Sequence, residues 1–273
     1  VRRKVEDVFL RRDDLAGLAK YYESWIAKTP DDVEAMARLG RTLTQLGRAD
    51  DARAWLDKAV KQAPSRRELR TALIELLRRK EDFAGAAAQY EAMHKSDPND
   101  PDVIRDWGRL LLADTKRPEV ERRKAASEVW ARLVKEDTKD PVAIAQTADL
   151  YRQANLVDEA IALYKKSIEV APESPQYREY LGEYYHYLKR PTEALAVWRE
   201  TVAGKRGTAK NLARLGEVLA GFGYRAEALE PLTAAVKLEG DDLDLLLKLA
   251  DVLLSLDKPR EADLQLADAE KLA

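Results

Sequence analysis

Apolar residues recur along this chain at three- and four-residue steps, separated by charged ones, the spacing of helices with one buried face. Met36, Leu39 and Leu43 follow it, as do Leu181, Tyr184 and Tyr185. Prolines at 30, 64, 98 and 172 punctuate the pattern, and helices seldom continue through such positions. The reading is therefore a succession of short amphipathic helices. No apolar run approaches the ~18 residues of a membrane span.

The helices repeat. Ala52 precedes Leu56, Ala86 precedes Tyr90, Ala126 precedes Trp130, Ala160 precedes Tyr164, Ala194 precedes Trp198, Ala228 precedes Leu232 and Ala262 precedes Leu266. Successive alanines lie 34 residues apart, except that Ala86 and Ala126 are 40 apart, which marks a six-residue insertion. A second series, Leu39-Gly40, Trp107-Gly108, Leu181-Gly182 and Leu215-Gly216, runs ahead of the alanines. A fixed period of this length is the mark of a repeat architecture.

The motif, large-x2-Leu-Gly-x2-large, then Ala-x3-aromatic or Leu, then Pro, resembles the tetratricopeptide repeat. Its clearest copies are Met36…Leu39-Gly40…Leu43…Ala52…Leu56…Pro64 and Arg178…Leu181-Gly182…Tyr185…Ala194…Trp198. The resemblance implies an all-α fold, a right-handed superhelix (α-solenoid) of about eight helix-turn-helix repeats with the first and last partial. The chain then reads as one solenoid over residues 1–273, with units 1–32, 33–66, 67–100, 101–140 (holding the insertion), 141–174, 175–208, 209–242 and 243–273. Gly40 and Ala52 are expected where the two helices of a hairpin cross closely. Ile74 in the Gly slot, Leu18 in the first Ala slot, and Arg206 and Gly240 in place of the terminal proline mark looser packing. Val1 falls inside what should be a first helix, and the last helix keeps Leu264, Leu266 and Leu272 without a polar capping helix after it. Solenoid ends normally carry a cap, so a longer parent chain, or a homo-oligomer through this uncapped C-terminal helix, is expected.

Composition narrows the function. Hydrophobic residues are 45% and charged residues 35% of the chain, with a net charge of −2. That balance argues against a nucleic-acid or anionic-membrane partner. Residues 1–140 hold 30 basic and 27 acidic side chains, and residues 141–273 hold 17 and 22, so the halves lean in opposite directions. Cysteine is absent, which removes disulfides, thiol catalysis and thiolate metal sites. This suits cytoplasm, the default, and periplasm alike. The two histidines, His94 and His186, lie in different repeats, and no hydrolase, phosphate-binding or dinucleotide motif occurs. The reading is a non-enzyme with no cofactor and no small-molecule substrate. The acidic clusters Ser96-Asp97-x-Asn99-Asp100-x-Asp102 and Glu239-x-Asp241-Asp242-x-Asp244 lack the spacing of a calcium loop and read as helix caps. The basic stretch Lys116, Arg117, Arg122, Arg123 and Lys124 reads as a solvated face of the insertion rather than an anion-docking site.

What remains is a binding scaffold for another protein or peptide. In the tetratricopeptide family the first helix of each hairpin lines a concave face. At helical spacing the exposed positions of those helices are Arg38, Arg41, Arg78, Arg79, Arg105 and Arg109, then Gln146, Asp149, Gln153, Tyr180, Glu183, His186, Tyr187 and Glu217. The groove is Arg-rich early and aromatic and acidic later, suited to an extended peptide or helix of a partner. The Lys/Asn clamp of the chaperone-binding members does not carry over, since its slots hold Ala37, Arg41, Ala72 and Asp106. Nor does the asparagine ladder of the sugar-transferase members. Alternatives are a regulatory or targeting module of a larger enzyme or of an envelope or secretion assembly, and an RNA-binding helical repeat, which the missing repeated code residues disfavour. Five of the eleven tyrosines lie in residues 177–190. The register assigns Tyr177, Tyr184 and Tyr185 to packing slots and Tyr180 and Tyr187 to exposed ones.

Overall fold

In a computed structural model residues 2–272 are described, so the expectation that turned on Val1 lies outside them. Among the described residues there are sixteen α-helices, two short 3₁₀ turns and no strand. The chain forms two compact units, Val1–Glu136 and Asp137–Ala273. The first holds the hairpins α1 (Arg2–Arg11) with α2 (Leu15–Lys28), α3 (Val33–Gln45) with α4 (Ala49–Gln62), α5 (Arg67–Arg79) with α6 (Phe83–Ser96), and α7 (Pro101–Ala113) with α8 (Glu119–Trp130). The second holds α9 (Pro141–Gln153) with α10 (Val157–Val170), α11 (Pro175–Tyr187) with α12 (Pro191–Arg199), α13 (Ala209–Gly221) with α14 (Arg225–Leu238), and α15 (Leu243–Ser255) with α16 (Pro259–Glu270). Within each unit helices pack first on their hairpin partner and then on the next hairpin. A single hairpin cannot bury its apolar stripe, so stacking supplies the core.

The repeat motif fixes how closely each hairpin closes. Ala52, Ala86, Ala126, Ala160, Ala194, Ala228 and Ala262 are fully buried. A Cβ added to Gly40 would lie 2.7 Å from Leu56 Cγ. At Gly108, Gly182 and Gly216 it would strike Trp130, Trp198 and Leu232 within 3.0 Å. Where the partner is tryptophan, the indole N–H reaches across to the first helix. Trp130 Nε1 donates to the Arg105 carbonyl at 3.1 Å and Trp198 Nε1 to the Glu179 carbonyl at 3.3 Å. Glycine is thus the residue that lets a large ring sit flat on the facing helix. Ile74 in the same slot has the opposite effect: Ile74 is buried, while its partner Tyr90 is only partly covered.

The turn inside each hairpin has its own rule. Asp13, Gly47, Glu81, Asn155, Lys189, Gly223 and Asp257 all have positive φ, from 53° to 85°. They occupy one repeat position, just before the second helix starts. Only two are glycine, so five turns hold an L-residue in the left-handed region at a cost of about 1 kcal/mol or more each. The insertion escapes this rule. Its turn, residues 114–118, is longer, and α8 starts early on four extra residues. Four of its five basic residues find partners. Lys116 donates to the Glu81 carbonyl at 2.8 Å, Arg122 to the Leu112 carbonyl at 2.7 Å, Arg117 pairs with Asp114 at 3.2 Å and Arg123 with Glu119 at 2.5 Å. The acidic clusters act as caps. Asp100 accepts from the Asp102 and Val103 amides, and Asp242 from those of Asp244 and Leu245.

Arginine replaces the first large residue of the motif in two hairpins, and both do the same work. Arg70 donates to the Pro64 carbonyl at 3.2 Å and Arg178 to the Pro172 carbonyl at 2.7 Å. Each guanidinium ties a first helix to the proline turn before it, while its stem fills the packing slot.

Candidate functional site

In the first unit, α3, α5 and α7 face two adjoining concavities. One, of about 620 Å³, is lined by Arg41, Gln45, Arg67, Glu75 and Arg79 over Leu56 and Leu76. The other, of about 360 Å³, is lined by Arg78, Tyr90, Asp106 and Arg109 over Ile74 and Leu110. Thr71 and Glu75 belong to both. The sequence-derived residues Arg41, Arg78, Arg79 and Arg109 therefore meet on either side of α5. Tyr90, in a packing slot of the motif, packs against the core and also reaches this surface beside Ile74.

Arg38 and Arg105 are placed differently. Arg38 pairs with Glu34 at 2.9 Å and with Glu6 of α1, and lies by the buried Tyr22. Burial and the Glu6 carboxylate push the Tyr22 phenol up to about 12. Hydrogen bonds from Arg66 and Arg38 hold the Glu34 carboxyl below its ordinary value, against its partial burial. Arg38 is thus a structural tie between hairpins rather than an open cation. Arg105 is half-buried, pairs with Asp102 at 2.5 Å and lines neither concavity.

In the second unit the five tyrosines divide. Tyr177, Tyr184 and Tyr185 are buried, whereas Tyr180 is 45% and Tyr187 72% exposed. Tyr180 leans edge-on against Tyr177, with ring centroids 6.1 Å apart. Tyr185 carries the Arg190 guanidinium over its ring at 4.8 Å. The exposed pair are two helical turns apart on one face of α11, with Glu183, also exposed, between them. Gln146 and Gln153 are exposed on α9.

Charges link the first helices of this unit. Arg152 lies 3.6 Å from Glu183 and 3.2 Å from Asp149, and Asp149 accepts a 2.5 Å hydrogen bond from the Tyr164 hydroxyl. Burial, aided by that carboxylate, pushes the Tyr164 phenol up. Arg214 joins Glu179 at 2.7 Å and Glu217 at 3.5 Å, and Lys248 joins Glu217 and Asp244. Hydrogen bonds to Asp244 and Glu217 raise the Lys248 ammonium above its ordinary value. Asp149, Glu183, Glu217 and Asp251 occupy one position at 34-residue steps, where the first unit has Arg41, Glu75 and Arg109. At this position the second unit is uniformly acidic and the first unit mixed.

His186 is corrected by the structure. Helical spacing places it beside Tyr187 on the open face, but its ring packs 5.1 Å from Phe222 and 6.4 Å from Trp198, and Nδ1 shares a 2.9 Å hydrogen bond with the Tyr224 hydroxyl. Phe222 and Tyr224 come from the turn of the next hairpin and close a four-ring cluster over the buried Trp198. His94 similarly packs against Trp107, with centroids 6.1 Å apart. No helix among the described residues is long and apolar enough to cross a membrane.

Two tetratricopeptide-repeat profiles match the sequence, over residues 11–75 and 145–207. No curated protein matches it. Among solved structures, a tetratricopeptide repeat protein from Parabacteroides merdae is similar at 14% identity, covering 92% of this chain and 97% of its own, with a TM-score of 0.45. The C-terminal part of a repeat-containing protein from Cytophaga hutchinsonii aligns at 13% identity over 90% of this chain and 98% of its own, with a TM-score of 0.46. YrrB, described as a TPR protein with an unusual peptide-binding site, aligns at 19% identity over 67% of this chain and 92% of its own, with a TM-score of 0.39. The matched profiles, the 34-residue period and the helical hairpins agree: the chain belongs to the tetratricopeptide-repeat family, whose hairpin stacks are protein-interaction modules.

Proposed function

We propose that this protein is an interaction scaffold that holds an extended peptide or helix of a partner protein against the first helices of its hairpins. Tyr180 and Tyr187 are the anchors, flanked by Glu183, Gln146 and Gln153. The observation that carries this reading is the exposure of two aromatic rings on a helix whose other three tyrosines are buried. Tyr187 lies mostly open, and Tyr180, though edge-on to Tyr177, leaves nearly half of its surface open. A buried interface aromatic is worth about 2 kcal/mol or more on truncation, near thirtyfold in affinity. Exposed ion pairs of the kind that line the same helices contribute about 0–1 kcal/mol. Affinity then rests on the rings, and the charged flanks set orientation and partner choice.

The test is affinity capture from cell extract with the parent protein and with Tyr180→Ala/Tyr187→Ala. The double variant is expected to lose specific partners while its melting temperature is kept. An unchanged set of captured proteins would refute the assignment.

A further inference from the structure

We propose that the two concavities flanking α5 form one site for an acidic peptide segment, with Arg41 and Arg78 receiving its carboxylates. Their lining carries five arginines, at 41, 67, 78, 79 and 109, and three acids, Glu68, Glu75 and Asp106. Most of these are already matched. Arg79 pairs with Glu75 at 2.6 Å and Arg109 with Asp106 at 3.2 Å. Arg67 turns away to Asp100, and Glu68 is held at 2.7 Å by Arg66. Arg41 and Arg78 are left without an acidic partner among the described residues, one in each concavity, with Thr71 and Glu75 shared between the two.

A guanidinium presents a planar fork that matches a carboxylate in two parallel hydrogen bonds. Two such forks on either side of one helix suit two separated carboxylates on an extended chain. The retained acids tell peptide from nucleic acid. Glu68, Glu75 and Asp106 would repel the continuous charge of a polyphosphate backbone, whereas a peptide can place neutral residues beside them. Leu56, Leu76 and Ile74 below offer apolar surface to those intervening residues. The site shares with the proposed function only the premise that first-helix faces are docking surfaces. It lies in the other unit and uses other residues.

The experiment follows fluorescence anisotropy of a short fluorescein-labelled peptide of alternating Glu and Gly, its Gln counterpart, and an oligouridylate of equal charge. The parent protein is expected to bind the Glu peptide saturably, more weakly as salt rises, and to ignore the Gln peptide. Arg41→Gln and Arg78→Gln should each weaken binding about fivefold, and Lys124→Gln, an exposed cation elsewhere in the unit, should leave it unchanged. Equal binding of the Gln peptide, or arginine variants that match the parent or the Lys124→Gln control, would overturn the proposal. So would tighter, Arg41-dependent binding of the oligouridylate. Failure here with Tyr180-dependent capture intact refutes this site alone, and the reverse refutes the second-unit reading alone.

Discussion

Gly182→Ala probes the rule that sets hairpin closure. The substitution lies inside α11, so intrinsic propensity favours alanine by about 1 kcal/mol. The structure opposes it. The new methyl would meet Trp198 Cδ1 at 2.5 Å and Cε2 at 2.6 Å. Trp198 cannot retreat, because it is fully buried and stacked 5.0 Å from Phe222 with His186 and Tyr224 around it. Overpacking of this kind costs about 1–3 kcal/mol. Shifting the ring also strains the hydrogen bond from Trp198 to the Glu179 carbonyl, a further ~1 kcal/mol. Net destabilisation of about 1–3 kcal/mol is expected in urea unfolding followed by tryptophan fluorescence. Gly221→Ala is the control, since a methyl there meets nothing within 4 Å and should be neutral or slightly stabilising. A Gly182→Ala protein as stable as the parent would refute the claim that close approach of the ring demands glycine.

Three further outcomes follow from the same structure. Lys189→Gly should raise stability by about 1 kcal/mol in urea unfolding, because Lys189 sits at φ 59° in a turn where other repeats use glycine. Tyr185→Ala should lower stability by about 3–5 kcal/mol, whereas Tyr187→Ala, at an open position, should change it by no more than about 0.5 kcal/mol; equal melting losses would contradict the division. Burial, reinforced by the positive charge of Arg132, holds the His94 imidazole below its ordinary value. The unfolded chain therefore takes up this proton first as pH falls, so stability is full above about pH 6.5 and declines below it until the folded group also titrates. Unfolding at neutral and mildly acid pH should show a smaller acid loss for His94→Gln than for the parent.

The hairpins, their period and the fate of all five clustered tyrosines were legible because one register governs them. Each tyrosine occupies a slot whose occupants elsewhere are mostly apolar or mostly polar, with exceptions such as Thr42 in the Tyr184 slot and Ala72 in the Tyr180 slot. Tyr185 matches Leu43, Leu77, Tyr151 and Leu219, all buried. The register is blind to what a neighbouring hairpin sends over the surface. Glu6 engages Arg38, and Phe222 and Tyr224 enclose His186, from more than 30 residues away in each case. The five left-handed turn residues were hidden for another reason. Aspartate, glutamate, asparagine and lysine there share no residue type, only a backbone angle. Tyr90 keeps its packing slot against the core, and its partial exposure beside Ile74 is what the register alone does not show.

The central claim is that a partner lies on the face of α11 that carries Tyr180 and Tyr187. A photo-crosslinking amino acid placed at 180, at 187 and, on the exposed surface of α10, at 165 tests it most directly. The account predicts a discrete protein adduct from positions 180 and 187 and none from 165. Adducts strongest at 165, or absent from both tyrosine positions, would contradict it.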